Sequence, residues 1–223
     1  MFRWFFLQRL RHQLRRLFSR VYVHGRAHLR PWQQGNPPAA LMLYCSHNGW
    51  SDIALATLLS WDYFRLRRSF FFLSPQQLEH LRILRFLGAR VVPWDNATRF
   101  QQVASEHLRP LLQNPLSVLW IFATGDFLSL GETETFWYCT DILHSAQHGL
   151  AMAPVVWSYD LLQQEPCCYL WIGEPQLYTP QTASSLLVQQ CSLRLIELYD
   201  RQQQVLLSGK PPSEYETYSL SRR

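Results

Sequence analysis

The sequence predicts an α/β protein with a mostly parallel central sheet flanked by helices, preceded by a basic amphipathic helix. Continuous apolar segments, typical of strands buried on both faces, alternate with helical segments along the chain. The 223 residues are 48% hydrophobic and 17% charged, a composition that excludes a disordered chain and suffices for one α/β domain. The first 30 residues hold eight arginines and no acidic residue, which indicates contact with an anionic surface.

Residues 1–21 are expected to form an interfacial helix on an anionic membrane. At 100° per residue its apolar side chains form one stripe, opposite a face rich in arginine. The apolar stripe comprises Phe2, Phe6, Leu10, Leu14, Leu17 and Val21, and the polar side comprises Arg9, Arg11, Arg15, Arg16 and Arg20. An aromatic-rich face opposite arginines suits binding to anionic lipid. The alternatives are a helix packed on the protein's own core and an RNA-binding helix.

The rest of the chain is predicted to be one domain, residues 22–210, followed by a polar and frayed tail, residues 211–223. Strands are expected at 21–25, 40–45, 69–74, 89–94, 116–122, 151–159 and 167–175. Helices are expected at 53–61, 76–87, 96–113, 138–149 and from Thr179 onward. Alternation of this kind predicts parallel strands with helices on the faces of the sheet.

The chain is expected at the cytoplasmic face of a membrane, as a peripheral or monotopic protein. No apolar run approaches the ~20 residues needed to span a bilayer. The five cysteines form an odd number without C-x-x-C spacing, which argues against a disulfide framework or zinc site and favours a reducing compartment. Nucleic acid is not an expected partner, since no recognised binding motif accompanies the basic segment.

His47 and Asp52 form the candidate catalytic pair. His47 follows a buried strand by two residues, at the sheet edge where ligands tend to bind. Asp52 falls near the start of the next helix, whose dipole favours its charge, and Gly49 is expected to allow a tight turn between them. A carboxylate folded onto the imidazole would leave its other nitrogen free as a general base for a hydroxyl. The alternative is that Asp52 caps the helix and His47 is an ordinary turn residue.

Four segments in order resemble the PlsC-like glycerolipid acyltransferase superfamily. The first, 46–52, matches the family's N-H-x4-D at His47 and Asp52, with Ser46 replacing Asn. The second, 87–95, resembles the family's Gly followed by a hydrophobic strand. The third, 122–127, stands where the family has F-P-E-G-x-R, and the fourth, 153–156, matches a hydrophobic strand with a central proline.

The resemblance implies an acyltransferase that moves a fatty acyl group from acyl-CoA or acyl-carrier protein to a lipid hydroxyl. His47 would be the general base, oriented by Asp52, and no metal or other cofactor is implied. Thr124 stands where the family has Glu, so Thr124, Gly125 and Asp126 become candidate substrate contacts. The backbone around Gly125 is the candidate oxyanion site.

Several alternatives remain open from the sequence. Arg90 and Arg99 would bind an acceptor phosphate or would be surface charges. The segments 154–160 and 169–175 resemble a branch that includes carotenoid-glycoside acyltransferases, so a sugar hydroxyl of a glycolipid is a second acceptor class. The altered third segment also allows an inactive, membrane-docked lipid-binding protein. Cys45 lies two residues before His47, but its place in an apolar strand indicates a buried structural thiol and not a nucleophile. His144 and His148 lack a third metal ligand and are interpreted as surface or structural residues.

Overall fold

A computed structural model describes residues 2–45, 49–64, 69–73, 85, 88–91, 97–103, 106, 108–122, 134–160, 165–208 and 215–220. Its helices are α1 (Phe2–Leu17), α2 (Arg30–Gln34), α3 (Trp50–Tyr63), α4 (Ala97–Val103), α5 (Arg109–Leu112), α6 (Glu134–His144) and α7 (Ser184–Leu207), with a 3₁₀ turn at Arg26–Leu29. Its strands are β1 (Arg20–His24), β2 (Ala40–Cys45), β3 (Ser69–Leu73), β4 (Ala89–Val91), β5 (Val118–Phe122), β6 (Leu150–Asp160), β7 (Cys167–Ile172), β8 (Gln176–Tyr178) and β9 (Glu216–Tyr218).

The described strands form one mixed sheet in the order β4-β3-β5-β2-β6-β7-β1-β9, with β8 paired to the start of β6. β4, β3, β5, β2 and β6 run parallel to one another. β7 turns back antiparallel to β6, and β1 lies parallel to β7. The predicted α/β class with a mostly parallel sheet flanked by helices is confirmed.

Two apolar layers cover the two faces of the sheet. One layer joins α1 and α3 to alternate residues of the strands, among them Leu43, Cys45 and Trp120. The other layer joins α4, α5, α6 and α7 to the residues between them, such as Tyr44 and Ile121. Because the central strands are buried on both faces, every described residue of β2 and β5 is buried, as their continuous apolar sequences predict.

The N-terminal helix packs on this core with a face that differs from the predicted one. Leu10 and Leu14 are buried as expected, and Leu7 and Phe18 are buried with them. Arg11 was predicted on the polar side, and this is wrong. The predicted apolar stripe is also wrong at Leu17, which is 40% exposed. The helix ends at Leu17, so Arg20 and Val21 are the first two residues of β1 and not part of the helix.

Arg11 lies on the buried face because α3 supplies its partner. Its guanidinium donates to both carboxylate oxygens of Asp62 at 2.7 and 2.8 Å. The Tyr218 hydroxyl donates to the same carboxylate. A buried guanidinium requires such pairing, and the pairing explains how an arginine enters the apolar stripe of the helix.

The predicted frayed tail is wrong for residues 215–220. β9 pairs antiparallel with β1, so it extends the sheet by one strand at that edge. Arg15 Nε donates to the Leu220 carbonyl at 2.6 Å, and Arg26 pairs with Glu216 at 2.7 Å. Leu220 is also buried, so the segment is held beside the N-terminal elements. Residues 215–220 therefore pack against the N-terminal elements of the chain.

Candidate active site

The candidate site lies at the edge where the carboxyl ends of the parallel strands meet. β2 and β5 are neighbours, and their last residues, Cys45 and Phe122, are partners in the register. The sequence continues from Cys45 into His47 and from Phe122 into Thr124, Gly125 and Asp126. These four predicted site residues lie outside the described residues, so their proposed roles stay predictions. The structure shows that the strands preceding the two sequence blocks, β2 and β5, are adjacent and parallel and end side by side.

Asp52 lies in the first turn of α3 and is fully buried. The Gly49 amide donates to Asp52 Oδ2 at 3.2 Å, and the Asp52 amide donates to the Gly49 carbonyl at 3.2 Å. The carboxylate therefore caps the helix, as one alternative expected, and the helix N-terminus stabilises its charge. Capping does not exclude catalysis, because a carboxylate has two oxygens and several acceptor directions.

Gly49 corrects one detail of the expected turn. Its backbone is extended, with φ 173° and ψ −178°, a conformation that any residue adopts. An added Cβ would meet no described atom within 4 Å. Glycine is therefore not required at this position by the backbone conformation, whereas the turn predicted between His47 and Asp52 includes residues outside the described ones and stays a prediction.

The charge of Asp52 raises the pKa of two thiols, Cys45 on β2 and Cys168 on β7. Burial raises the pKa of Cys45 well above its ordinary value, and the Asp52 carboxylate raises it further, while contact with the Trp157 side chain opposes the rise. Burial and then Asp52 likewise raise the pKa of Cys168. Cys45 is therefore a neutral, fully buried thiol near neutral pH, and its interpretation as structural is confirmed.

β6 extends past the end of β2 and forms a ledge beside this site. Cys45 pairs with Val155, so residues 156–160 continue beyond β2, paired with β7. Trp157 is buried on the α3 side of the ledge, and the Tyr159 hydroxyl accepts a hydrogen bond from Ser51 Oγ at 3.2 Å. Sequence reasoning missed Ser51 and Tyr159; the period-two spacing of Val155, Trp157 and Tyr159 could have placed Tyr159 on this face.

Arg90 and Arg99 lie elsewhere. Arg90 is exposed on β4, which is three strands away from β2, about 14 Å across the sheet. Its neighbour Ala89 packs in the layer that contains α3, so alternation directs Arg90 toward the opposite face. Arg99 is exposed on α4, which packs on that opposite face through Phe100. The structure does not bring either arginine beside Asp52, and phosphate binding by the pair stays a prediction.

The remaining histidine candidates behave as surface residues. His144 ends α6, and His148 lies in the turn that follows, so the two do not share a helix face; both are exposed. Within the described ranges, no three His, Cys, Asp or Glu side chains are grouped so that they could hold a metal ion. Likewise, none of the helices described is long and apolar enough to cross a membrane.

A scan against protein-family models finds no match to this chain, and a search of curated proteins finds none either.

Proposed function

We propose that the chain is an acyltransferase that moves a fatty acyl group from a thioester donor to a lipid hydroxyl, with His47 as general base. The observation that carries the proposal is the fully buried Asp52 carboxylate in the first turn of α3, just beyond the carboxyl end of β2. The amide of Gly49 donates to this carboxylate, and a helix N-terminus favours a negative charge at that position. His47 lies between that strand and that helix in the sequence, and we propose that Asp52 orients its imidazole.

The chemistry requires little beyond one proton transfer. In the proposed reaction, His47 removes the proton of the acceptor hydroxyl, and the oxygen attacks the thioester carbonyl carbon. The tetrahedral oxyanion accepts hydrogen bonds from backbone amides around Gly125, and its collapse expels the thiolate of CoA or carrier protein. The imidazolium returns its proton to that thiolate, and Asp52 stabilises the imidazolium in between.

The acceptor is proposed to be a lysophospholipid or similar lipid hydroxyl, with a sugar hydroxyl of a glycolipid or carotenoid glycoside as the second class. Neither Arg90 nor Arg99 lies beside Asp52, so the described residues offer no guanidinium clamp for a phosphate there. This arrangement supports testing non-phosphorylated acceptors on an equal footing with phosphorylated ones.

We further propose that α1 holds the protein on the cytoplasmic face of an anionic membrane. Its outward arc carries Trp4, 50% exposed, and Phe5, 65% exposed. The same arc carries exposed Arg9, Arg15 and Arg16, and α1 contains no acidic residue. Aromatic side chains among arginines suit the headgroup region of anionic lipid, although the opposite face of α1 is occupied by the core. Sedimentation with vesicles tests it: binding should require anionic lipid and weaken in Phe5→Ser.

The test of the reaction compares the full chain with His47→Ala. Purified protein is given acyl-CoA with either a lysophospholipid or a glycolipid, and the acylated product is measured by mass spectrometry. His47→Ala should lower kcat/KM by ~10²–10⁴-fold, the contribution of positioned proton abstraction. His148→Ala, which removes an exposed histidine, is the matched control and should retain full activity. Equal transfer by the wild type and His47→Ala would overturn the assignment, and lipid binding without transfer would support an inactive binding protein instead.

A further inference from the structure

Tyr159 connects three elements around the proposed catalytic turn. It lies on the β6 ledge, four residues beyond Val155, the partner of the last residue of β2. Its hydroxyl accepts from Ser51 Oγ at 3.2 Å, in the first turn of α3. Its ring stacks on Phe18, directly after α1, with centroids 5.3 Å apart and an interplanar angle of 14°. One side chain thus joins the end of α1, the ledge and the start of α3.

The contact acts on the residue next to Asp52. Ser51 and Asp52 are consecutive, and the Asp52 carboxylate is fixed to the Gly49 amide on the same turn. Residues 52–60 of α3 are buried, so the core fixes the body of the helix, whereas Trp50 is 42% exposed and Ser51 half-buried. The Ser51–Tyr159 hydrogen bond therefore anchors the part of the first turn that the core does not hold.

The Tyr159 hydroxyl needs a rigid support to act as an anchor. The ring packs against the α1 and α3 layer and is stacked on Phe18, which is buried. Stacking of two aromatic rings stabilises their relative position beyond what their buried area provides. The backbone of Tyr159 is paired with Cys168 in β7, so the anchor has both a fixed ring and a fixed strand.

We infer that Tyr159 is a positioning residue for the proposed reaction, which holds the first turn of α3, and with it Asp52, in the orientation that serves His47. The inference rests on the proposed function. Tyr159 acts through Ser51 and Asp52, so its loss should lower kcat and leave KM nearly unchanged. Because Phe18 supports the ring, the same link makes the docking of α1 part of the catalytic geometry.

The test is a double-mutant cycle in the full chain, with Tyr159→Phe, Ser51→Ala and the double variant. Each single variant should lower kcat by about tenfold with KM within about twofold, in line with the cost of a small misplacement. The double variant should lose no more than the singles, since both remove one hydrogen bond. Ser51→Thr keeps a hydroxyl and should recover most of the rate. Tyr178→Phe, which removes a hydroxyl at the opposite edge of the sheet, is the matched control.

A second readout does not depend on turnover. Titration of His47 by NMR, its signal identified by its absence in His47→Ala, should differ between the wild type and Tyr159→Phe and agree between the wild type and Tyr178→Phe. An unchanged titration and unchanged kcat in Tyr159→Phe would overturn the inference while leaving the proposed function intact. A raised KM with additive single effects would also overturn it, since Tyr159 would then contact substrate directly. If the wild type transfers no acyl group, the proposed function fails, and the titration alone decides whether Tyr159 positions the turn.

Discussion

The two ends of α3 carry two aspartates in opposite electrostatic settings. Asp52 lies in the first turn, is fully buried, and is held by the amide of Gly49. Asp62 lies in the last turn with a side chain 15% exposed, and gives both carboxylate oxygens to Arg11 and one also to Tyr218. A helix N-terminus favours negative charge and a C-terminus opposes it, so Asp62 depends on the Arg11 guanidinium where Asp52 receives a backbone amide.

The comparison separates a carboxylate that builds the fold, Asp62, from one for which we propose a catalytic role, Asp52. Asp62 joins α1, α3 and the C-terminal strand β9 through Arg11 and Tyr218, and lies far along α3 from the edge where β2 and β5 end. Asp52 lies at that edge, and its charge raises the pKa of Cys45 and of Cys168. The four predictions below test this difference from the largest expected effect to the smallest.

The largest effect is expected for activity in Asp52→Asn. The amide keeps the size of the side chain but cannot stabilise an imidazolium, so acyl transfer should fall by about 10²–10⁴-fold, and by no more than in His47→Ala. Asp62→Asn, the matched variant at the other end of the same helix, should retain transfer within about threefold per folded molecule. Initial rates at a temperature where both variants are folded give the comparison. Similar losses in both variants would show that the two carboxylates do not differ in role.

The next effect is on stability, which should fall more in Asp62→Asn than in Asp52→Asn. Asp62→Asn leaves the Arg11 guanidinium, whose side chain is 8% exposed, without its carboxylate. Breaking a largely buried ion pair by removing one partner should cost about 3 kcal/mol of the free energy of unfolding. Urea titration followed by circular dichroism measures it, with Glu165→Gln as the control, because its pair with Arg20 is exposed and worth little. A loss of stability no larger than in the control would contradict a structural role for Asp62.

Tyr218→Phe should change how the stability of the Asp62 cluster depends on pH. Burial, followed by the hydrogen bond to Asp62 and its charge, raises the pKa of Tyr218 above its ordinary value of 10.0. The fold therefore favours the neutral phenol, and its stabilisation is complete below pH ~10 and is lost as pH rises toward the folded-state pKa. The variant should lose about 1 kcal/mol near neutral pH. Above pH ~10 the free energy of unfolding should fall less steeply with pH in the variant than in the wild type. The two slopes should differ by up to about 1.4 kcal/mol per pH unit, measured by urea titrations at stepped pH.

The smallest effect is expected for Gly49→Ala. The extended backbone at Gly49 accepts any residue, and an added methyl group meets no described atom within 4 Å. The loss of a favourable N-cap and the gain from a less flexible unfolded chain oppose each other, so stability should change by no more than about 0.5 kcal/mol. Gly25→Ala is the contrasting variant, since φ is 79° and its Cβ would lie 2.0 Å from the Ile172 carbonyl oxygen. Thermal melts of both should show a large loss in Gly25→Ala alone.

Much of the sheet could be predicted because buried strands are encoded locally. The apolar segment 40–45 is β2 with the same bounds, and the segments at 69–74 and 116–122 contain β3 and β5. The antiparallel return of β7 and the pairing of β9 with β1 were not predicted. β9 is a short edge strand, and its sequence has no apolar pattern that would predict a strand. It forms through backbone pairing with β1, which is far away in the sequence.

The face of α1 could not be read from its own sequence because a residue far along the chain decides it. Arg11 sits at the spacing of Leu7 and Leu14, and Asp62, 51 positions later, supplies the carboxylate that makes an arginine acceptable there. At the candidate site, Asp52 was predicted at a helix start and is found there. Tyr159 was missed for the same reason as Asp62, since Ser51 is 108 positions away from it.

The most direct test of the central claim is the NMR titration of His47 in the wild type and in Asp52→Asn, with Asp62→Asn as the reference. If Asp52 supports the imidazole, the apparent pKa of His47 should be higher in the wild type than in Asp52→Asn by about one unit or more, because a nearby carboxylate stabilises the imidazolium. Asp62→Asn should titrate as the wild type does. The same His47 pKa in the wild type and Asp52→Asn would contradict the pairing of these two residues and the mechanism built on it.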